Sequence, residues 1–434
     1  MFDSLDVKLL KLQLISHAGK NSPDLSSAVV SITYHESILE LAVKSTIIYA
    51  DTGARNNETS SGTSEENDAN LQFAEKLYME ITDDQYRLSF INDDKCFSIL
   101  VPPIIKSNNQ KEIVTLTLGS KEYLENLRLD RRVNQTYEGK ISDIIKNILQ
   151  KHLKTTKPLD IETTLNSMKV TGRIDEHGIP FNMILFLCSK AVPEIKSALG
   201  KTSGFFFFET SEGYKFKSID KLLDQKPKKK LIANDTTTLP PGYDGKILNY
   251  EFFGGISYID HMIKGTYNSA LLVYDPVKQT FKGNTIDSKK QESATIKASS
   301  SFAQIPENLN APSFFAITNE DKGFTPPGST INEQSSKSKE VNFDVEKIFN
   351  QSRMRYNQLF AVQVQITIYG DLSLHAGDII ECYFPEVSYT QTQLTSFKKS
   401  GKYLIADLCH YVTPSGPVYT KLGLVRDSFG QKNS

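Results

Sequence analysis

Apolar and polar positions alternate through the first fifty residues. Val7, Leu9 and, after Lys11, Leu12 and Leu14 recur at every second place. The run SAVVSITYHESILELAVKSTIIYAD adds Val30, Ile32 and Tyr34, then a β-branched series from Ile38 to Ile48. A period of two with this composition predicts strands over residues 5–52. Residues 53–70 (GARNNETSSGTSEENDAN) are small and polar and cannot bury enough surface to order themselves, so they read as a flexible loop within a barrel. Strand patterns resume in KLYMEIT, YRLSFI, CFSILVPP and EIVTLTLG, with Asp83-Asp84 and Asp93-Asp94 as turns. Residues 1–120 are therefore expected to form one antiparallel unit, most simply a small β-barrel.

The period then changes. In ISDIIKNILQKHL the apolar residues fall at 141, 144, 145, 148, 149 and 153, which is helical spacing, with Ser142 as the expected N-cap. A second helix is expected to begin at Pro180 and run through PFNMILFLCSKAV to near Pro193. Residues 121–203 thus read as a mixed or helical insertion domain. GFFFFETSEGYKFKSID is two strands around Ser211-Glu212-Gly213, a hairpin signal. Within 204–284, this aromatic hairpin and the segment after it are expected to serve both the insertion domain and a second barrel. KPKKK at 226–230 reads as a solvated basic loop. SYIDHMIKG reads as a short helix, followed by a strand, SALLVYD. Residues 285–340 turn to Ser, Lys, Asn, Gln, Pro and Gly and read as a long polar linker. In 341–434, the helical pattern DVEKIFNQSRMRYNQL precedes four strand-like segments, a second antiparallel barrel. The fold class expected is mainly β with α+β insertions: two antiparallel tube-like barrels and an inserted mixed or helical domain.

Charge and composition narrow the function. The 434 residues carry 50 Lys plus Arg against 51 Asp plus Glu, a net charge of -1, which is unlike a strongly basic nucleic-acid binder. Cys96, Cys188, Cys382 and Cys409 are scattered, so a disulfide framework or zinc knuckle is not expected and a reducing compartment is. The opening MFDSLDVKLLKLQL has acids where a signal peptide carries bases. No apolar run approaches the ~18 residues of a membrane span.

Catalytic constellations are not recognisable. Gly200-Lys201-Thr202 ends like a phosphate-binding loop, but the required first Gly is Ile195. Gly255-Ile256-Ser257-Tyr258-Ile259 lacks the second Gly of a nucleophile elbow, and Ser257 reads better as a helix N-cap. The seven histidines, at 17, 35, 152, 177, 261, 375 and 410, have no metal-ligand spacing. Cys409 and His410 point to opposite faces if they lie in a strand. Glu36, Glu138 and Glu381 sit in structural contexts, and nothing selects a glycosidase pair among the acids. No catalytic residue, cofactor or metal ligand is assigned, and no interface residue can be.

Several segments, in order, resemble the central baseplate hub protein of T-even-type contractile-tail phages. They are STIIYADTG in the first barrel, SGFFFFETSEGYKFKSID, KGTYNSALLVYDPVKQTFK, Arg353-Met354 with LSLHAGDIIECYFP, and KLGLVRDSFG near the C-terminus. The same architecture occurs in the hub part of type VI secretion spike proteins. Together the segments cover about half the chain. The resemblance implies a non-enzymatic virion protein, made in the host bacterial cytoplasm. It implies a homotrimer whose six barrels form a ring between a six-fold tail tube and a three-fold spike. Implied partners are the trimeric spike or lysozyme protein, tail tube and baseplate proteins, and a tape measure protein. DNA would pass through the lumen without specific binding, past a neutral or acidic lining. Two other readings are a tail-associated peptidoglycan hydrolase and a type VI-like spike or carrier.

Overall fold

The computed structural model describes the chain apart from residues 1–6, 16–23, 52–74, 108–111, 197–198, 254–257, 288–294, 303–310, 321–328, 334–344, 387–394 and 430–434, and single positions 237, 277, 301, 331, 397 and 415. The expected loop at 53–70 and the expected cap at Ser257 lie outside the described residues.

The first unit contains β1 (Lys8–Ile15), β2 (Val29–Ser37), β3 (Lys44–Asp51), β4 (Lys76–Thr82), β5 (Arg87–Phe90), β6 (Phe97–Ile99), β7 (Ile104–Ser107) and β8 (Glu112–Ser120). Their main path is β1-β4-β6-β8-β3-β2. The sheet curls until the chain just before β2 meets β1: Gln13 pairs with Asp24, and Leu25 N–H donates to the Leu12 carbonyl at 2.8 Å. The alternation explains the curl. Leu12, Leu14, Ile32, Tyr34, Ile47, Leu77, Met79 and Leu116 all point inward and are fully buried, so the barrel is a packed core and not a pore.

After β8 come α1 (Lys121–Glu125), β9 (Thr136–Lys140), α2 (Ile141–Asn147), a π-helical turn (Ile148–His152), β10 (Leu159–Ile161), β11 (Ser167–Thr171) and α3 (Pro180–Cys188). Pro180 opens α3, where its missing N–H costs nothing. The helix ends at Cys188, five residues short of Pro193. Ser142 is not the cap of α2. Lys140 holds that position, and Ser142 is buried inside the first turn against Thr164, a tertiary partner that periodicity does not reveal.

The hairpin β12 (Phe205–Thr210) and β13 (Gly213–Ser218) turns at Ser211-Glu212. Phe205, Phe207, Tyr214 and Phe216 face the core of the inserted unit. Phe206 and Phe208 face α4 (Ile219–Leu223) and the second barrel. An all-buried strand is thus the wall between two cores.

β14 (Lys230–Ile232), β15 (Gly245–Lys246) and β16 (Asn249–Phe253) join β20 (Val362–Tyr369), β21 (Ile379–Tyr383), β22 (Gly401–Val412) and β23 (Tyr419–Arg426). Most pairings are antiparallel; β14 runs parallel to β15 and β21. Residues 245–253 close this ring as well: β15 pairs with β14 and β16 with β20, with Ile247 N–H on the Ile232 carbonyl and Leu248 N–H on that of Thr367. The two barrels are fused along β2 and β22, in register from Ile32↔Val412 to Ser37↔Asp407. That pairing consumes an edge on each barrel.

Between these lie α5 (Tyr258–Ile263), β17 (Asn268–Asp275), β18 (Thr280–Asp287) and β19 (Phe314–Asn319), with α6 (Val345–Leu359) before β20. The linker expected over 285–340 is therefore interrupted. Residues 314–319 pair in parallel with β17, and Ala316 packs on the inserted unit. Four of those six residues (FFAITN) favour strands, a signal hidden by the polar composition around it.

Candidate functional site

Three clusters of buried charge lie where the barrels, the hairpin and the inserted unit meet. The first is built on β2. Ile32, Tyr34 and Glu36 share one face, so the inward apolar series ends on a carboxylate that is 1% exposed. Its Oε1 accepts hydrogen bonds from Tyr34 Oη (2.7 Å) and the Ser211 backbone N–H (2.7 Å), and lies 3.3 Å from His375 Nδ1. Its Oε2 accepts from the Ala376 N–H at 3.0 Å. One carboxylate therefore holds the first barrel, the hairpin tip and the turn before β21. Burial alone would raise the Glu36 pKa. The imidazolium of His375 and these hydrogen bonds outweigh it and bring the value down to about 2. Burial likewise opposes the charge on His375, but Glu36 beside it moves the imidazole above its ordinary value. Asp378 continues the cluster, accepting from His375 N–H and meeting Lys228 at 2.8 Å.

The second cluster is centred on Lys157 in the inserted unit. Its ammonium lies 2.5 Å from Glu122 Oε2 and 2.6 Å from Glu209 Oε1, all three side chains being almost wholly buried. Thr155 donates to Glu122, and the Val43 N–H of the first barrel donates to Glu209. Burial works against the ammonium, and the two carboxylates more than restore it, so Lys157 stays protonated.

The third cluster joins α6 to the C-terminal strand. Arg355 donates to Asp427 (3.1 Å) and Asp220 (3.2 Å). Asp220 also accepts from the Thr202 N–H, which gives Gly200-Lys201-Thr202 a structural role in place of a phosphate-binding one. The Arg-Asp-Ser ending divides its work. Arg426 caps the Ser400 and Lys398 carbonyls over the ring of Tyr403, Asp427 pairs with Arg355, and Ser428 Oγ accepts from the Ser299 N–H.

The other acids singled out by sequence do not enter these clusters. Glu138 is exposed beside Lys169, and Glu381 accepts from Tyr383 Oη. The basic run at 226–230 is not simply solvated. Lys228 and Lys229 pair with Asp378 and Asp371, and Lys230 lies 4.0 Å from Glu381. His410 is buried on the inner face of β22, stacked on Tyr34, and Cys409 lies on the outer, half-buried face. Among the described residues no His, Cys, Asp or Glu cluster is arranged to hold a metal ion, and no helix is long and apolar enough to cross a membrane. The buried charges of the three clusters stand in ion pairs and hydrogen bonds between elements, while the Nε atoms of Arg355 and Arg426 are buried without a partner.

No family model and no curated protein matches the chain. Solved structures do. A 43 kDa tail protein of prophage MuSo2 from Shewanella oneidensis is similar over 96% of this chain and 98% of its own, with 7% identity and a TM-score of 0.52. A tail protein from Neisseria meningitidis MC58 is similar over 97% of both chains, with 8% identity and a TM-score of 0.51. The chain has the fold of these phage tail proteins from end to end.

Proposed function

We propose that the chain is a structural subunit of a phage tail baseplate, the central hub. Three copies form a ring that joins the six-fold tail tube to the three-fold spike. The observation that carries this reading is the fusion of two closed barrels through β2 and β22 within one subunit of tail-protein fold. Three such subunits present six barrels, and closed cyclic symmetry leaves no unmatched face. The three buried charge clusters hold the barrels and the inserted unit at a constant angle, which a symmetry adaptor requires. The ring sits in the virion against the spike, tube, baseplate and tape measure proteins, and DNA crosses a lumen without basic lining.

Native mass spectrometry of the purified chain, alone and with its spike partner, tests the assembly. A trimer whose six barrels are related by rotations of roughly 60° in a reconstructed ring is the expected result. A monomer under both conditions that hydrolyses peptidoglycan would overturn it.

A further inference from the structure

The small sheet β18-β17-β19 has two unlike faces. On the inner one, Leu271 and Val273 of β17 and Ala316 of β19 share a core with Val345 and Ile348 of α6. Register defines the outer one. Ala270, Leu272 and Tyr274 of β17 stand beside Thr285, Gly283 and Phe281 of β18, and beside Phe315, Ile317 and Asn319 of β19. None of these residues is charged, in a chain that is 23% charged. Phe281, Phe315 and Ile317 are 59%, 60% and 62% exposed.

A strand with one wet face alternates, and these strands do not. β17 carries Ala270-Leu271-Leu272-Val273-Tyr274 and β19 carries Phe314-Phe315-Ala316-Ile317 without a polar break. Unbroken apolar runs and parallel pairs, such as β17 with β19, belong to sheets covered on both faces. The outer face also has relief. Phe315 and Ile317 form a ridge along β19, and Tyr274 and Phe281, with ring centres 4.8 Å apart, close one end. Between them Gly283 leaves a recess beside Leu272, where an added Cβ would meet nothing within 4 Å.

Size selects the occupant. At strand spacing the face covers roughly 250 Å². A stable contact between two folded subunits takes about 800 Å² on each, so the face is too small to be one between two copies of this chain. Three strands are about as wide as one helix, about 10 Å, and a helix, α6, already covers the inner side.

We infer that an amphipathic α-helix of another baseplate protein docks on this face. Its uncharged apolar stripe lies on Phe281, Phe315 and Ile317, and one of its side chains fills the recess over Gly283. The inference takes its setting from the hub reading above.

The test compares the purified chain with the assembled tail. Hydroxyl-radical footprinting should modify Phe281 and Phe315 in the free chain, and at least tenfold less in the tail. Ile317→Lys should leave the melting temperature of the free chain unchanged, because residue 317 faces water there. It should nevertheless lower the yield of complete tails at least tenfold, and Ile317→Val should restore it. A cryo-EM reconstruction of the tail should show helical density over the face. Protection of Phe281 and Phe315 already in the free chain would overturn the inference, since the chain would then cover the face itself. So would equal modification in chain and tail, full yield with Ile317→Lys, or a second copy or a sheet seated on the face. With the chain present in the tail, these outcomes leave the hub reading standing. A tail that lacks the chain overturns both.

Discussion

Replacing Glu36 by Gln removes one charge and turns one acceptor into a donor. Four groups converge on the wild-type carboxylate, and two of them are backbone N–H groups of Ser211 and Ala376. The fall of its pKa from 4.5 to about 2 corresponds to about 3 kcal/mol of preference for the charged form in the folded state. Glu36→Gln should therefore cost about 3 kcal/mol, within the range for breaking a buried pair. The pH dependence follows from both partners. Glu36 has a depressed pKa, so its contribution is present above 4.5 and is lost as pH falls toward 2. His375 has a raised pKa, so its contribution is full below 6.5 and is lost as pH rises through its folded value. The gap between wild type and variant should be widest between pH 4.5 and 6.5 and narrow on either side. Urea unfolding followed by circular dichroism measures the gap; the chain has no Trp for fluorescence. Amide exchange gives the local reading, with protection lost at Ser211 and Ala376 first. A change under about 0.5 kcal/mol, with those amides still protected, would refute the reasoning. So would a gap that is flat across the pH range.

Lys157→Met should cost about 3–5 kcal/mol, because it strands Glu122 and Glu209 in the interior; adding Glu122→Gln and Glu209→Gln should recover part of it in the same urea assay. Burial holds His410 neutral, with a pKa lowered from 6.5 to about 4. The unfolded chain therefore takes up a proton first, and stability falls as pH drops through that interval; His410→Asn should flatten this slope in thermal melts. Gly213→Ala should lower stability by about 2 kcal/mol or more. Its φ is +134° and an added Cβ would stand 2.3 Å from the Pro158 carbonyl oxygen, so the variant's melting temperature should drop and its hairpin amides should exchange faster.

Most strands of the first barrel, the last four of the second, the helix at 345–359 and the hairpin turn at 211–212 are legible because each is a local pattern; β14, β15 and β16 carry no such pattern and are not. Alternation, helical spacing and turn residues act over a few positions, and burial of one face rewards them wherever the strand ends up. The two barrels also followed, since two strand-rich blocks flank a segment of different period. The clusters that hold them were not legible. Glu36 looks like any acid at a strand end, and its partner His375 is 339 residues away. Ser142 looked like a cap because the sequence does not show Thr164 opposite it. Residues 314–319 passed as linker because their strand character depends on β17 being beside them.

What the sequence determined by itself was therefore the fold class and most of the elements with a strong local period, along with the likeness to a tail hub. Only the tertiary structure decided which edges close each barrel, that β2 and β22 fuse the two, and which buried charges have partners. The reason is physical. A strand's face is set by its own alternation, but the fate of a charge depends on what stands within about 4 Å of it, and chain connectivity does not specify that distance.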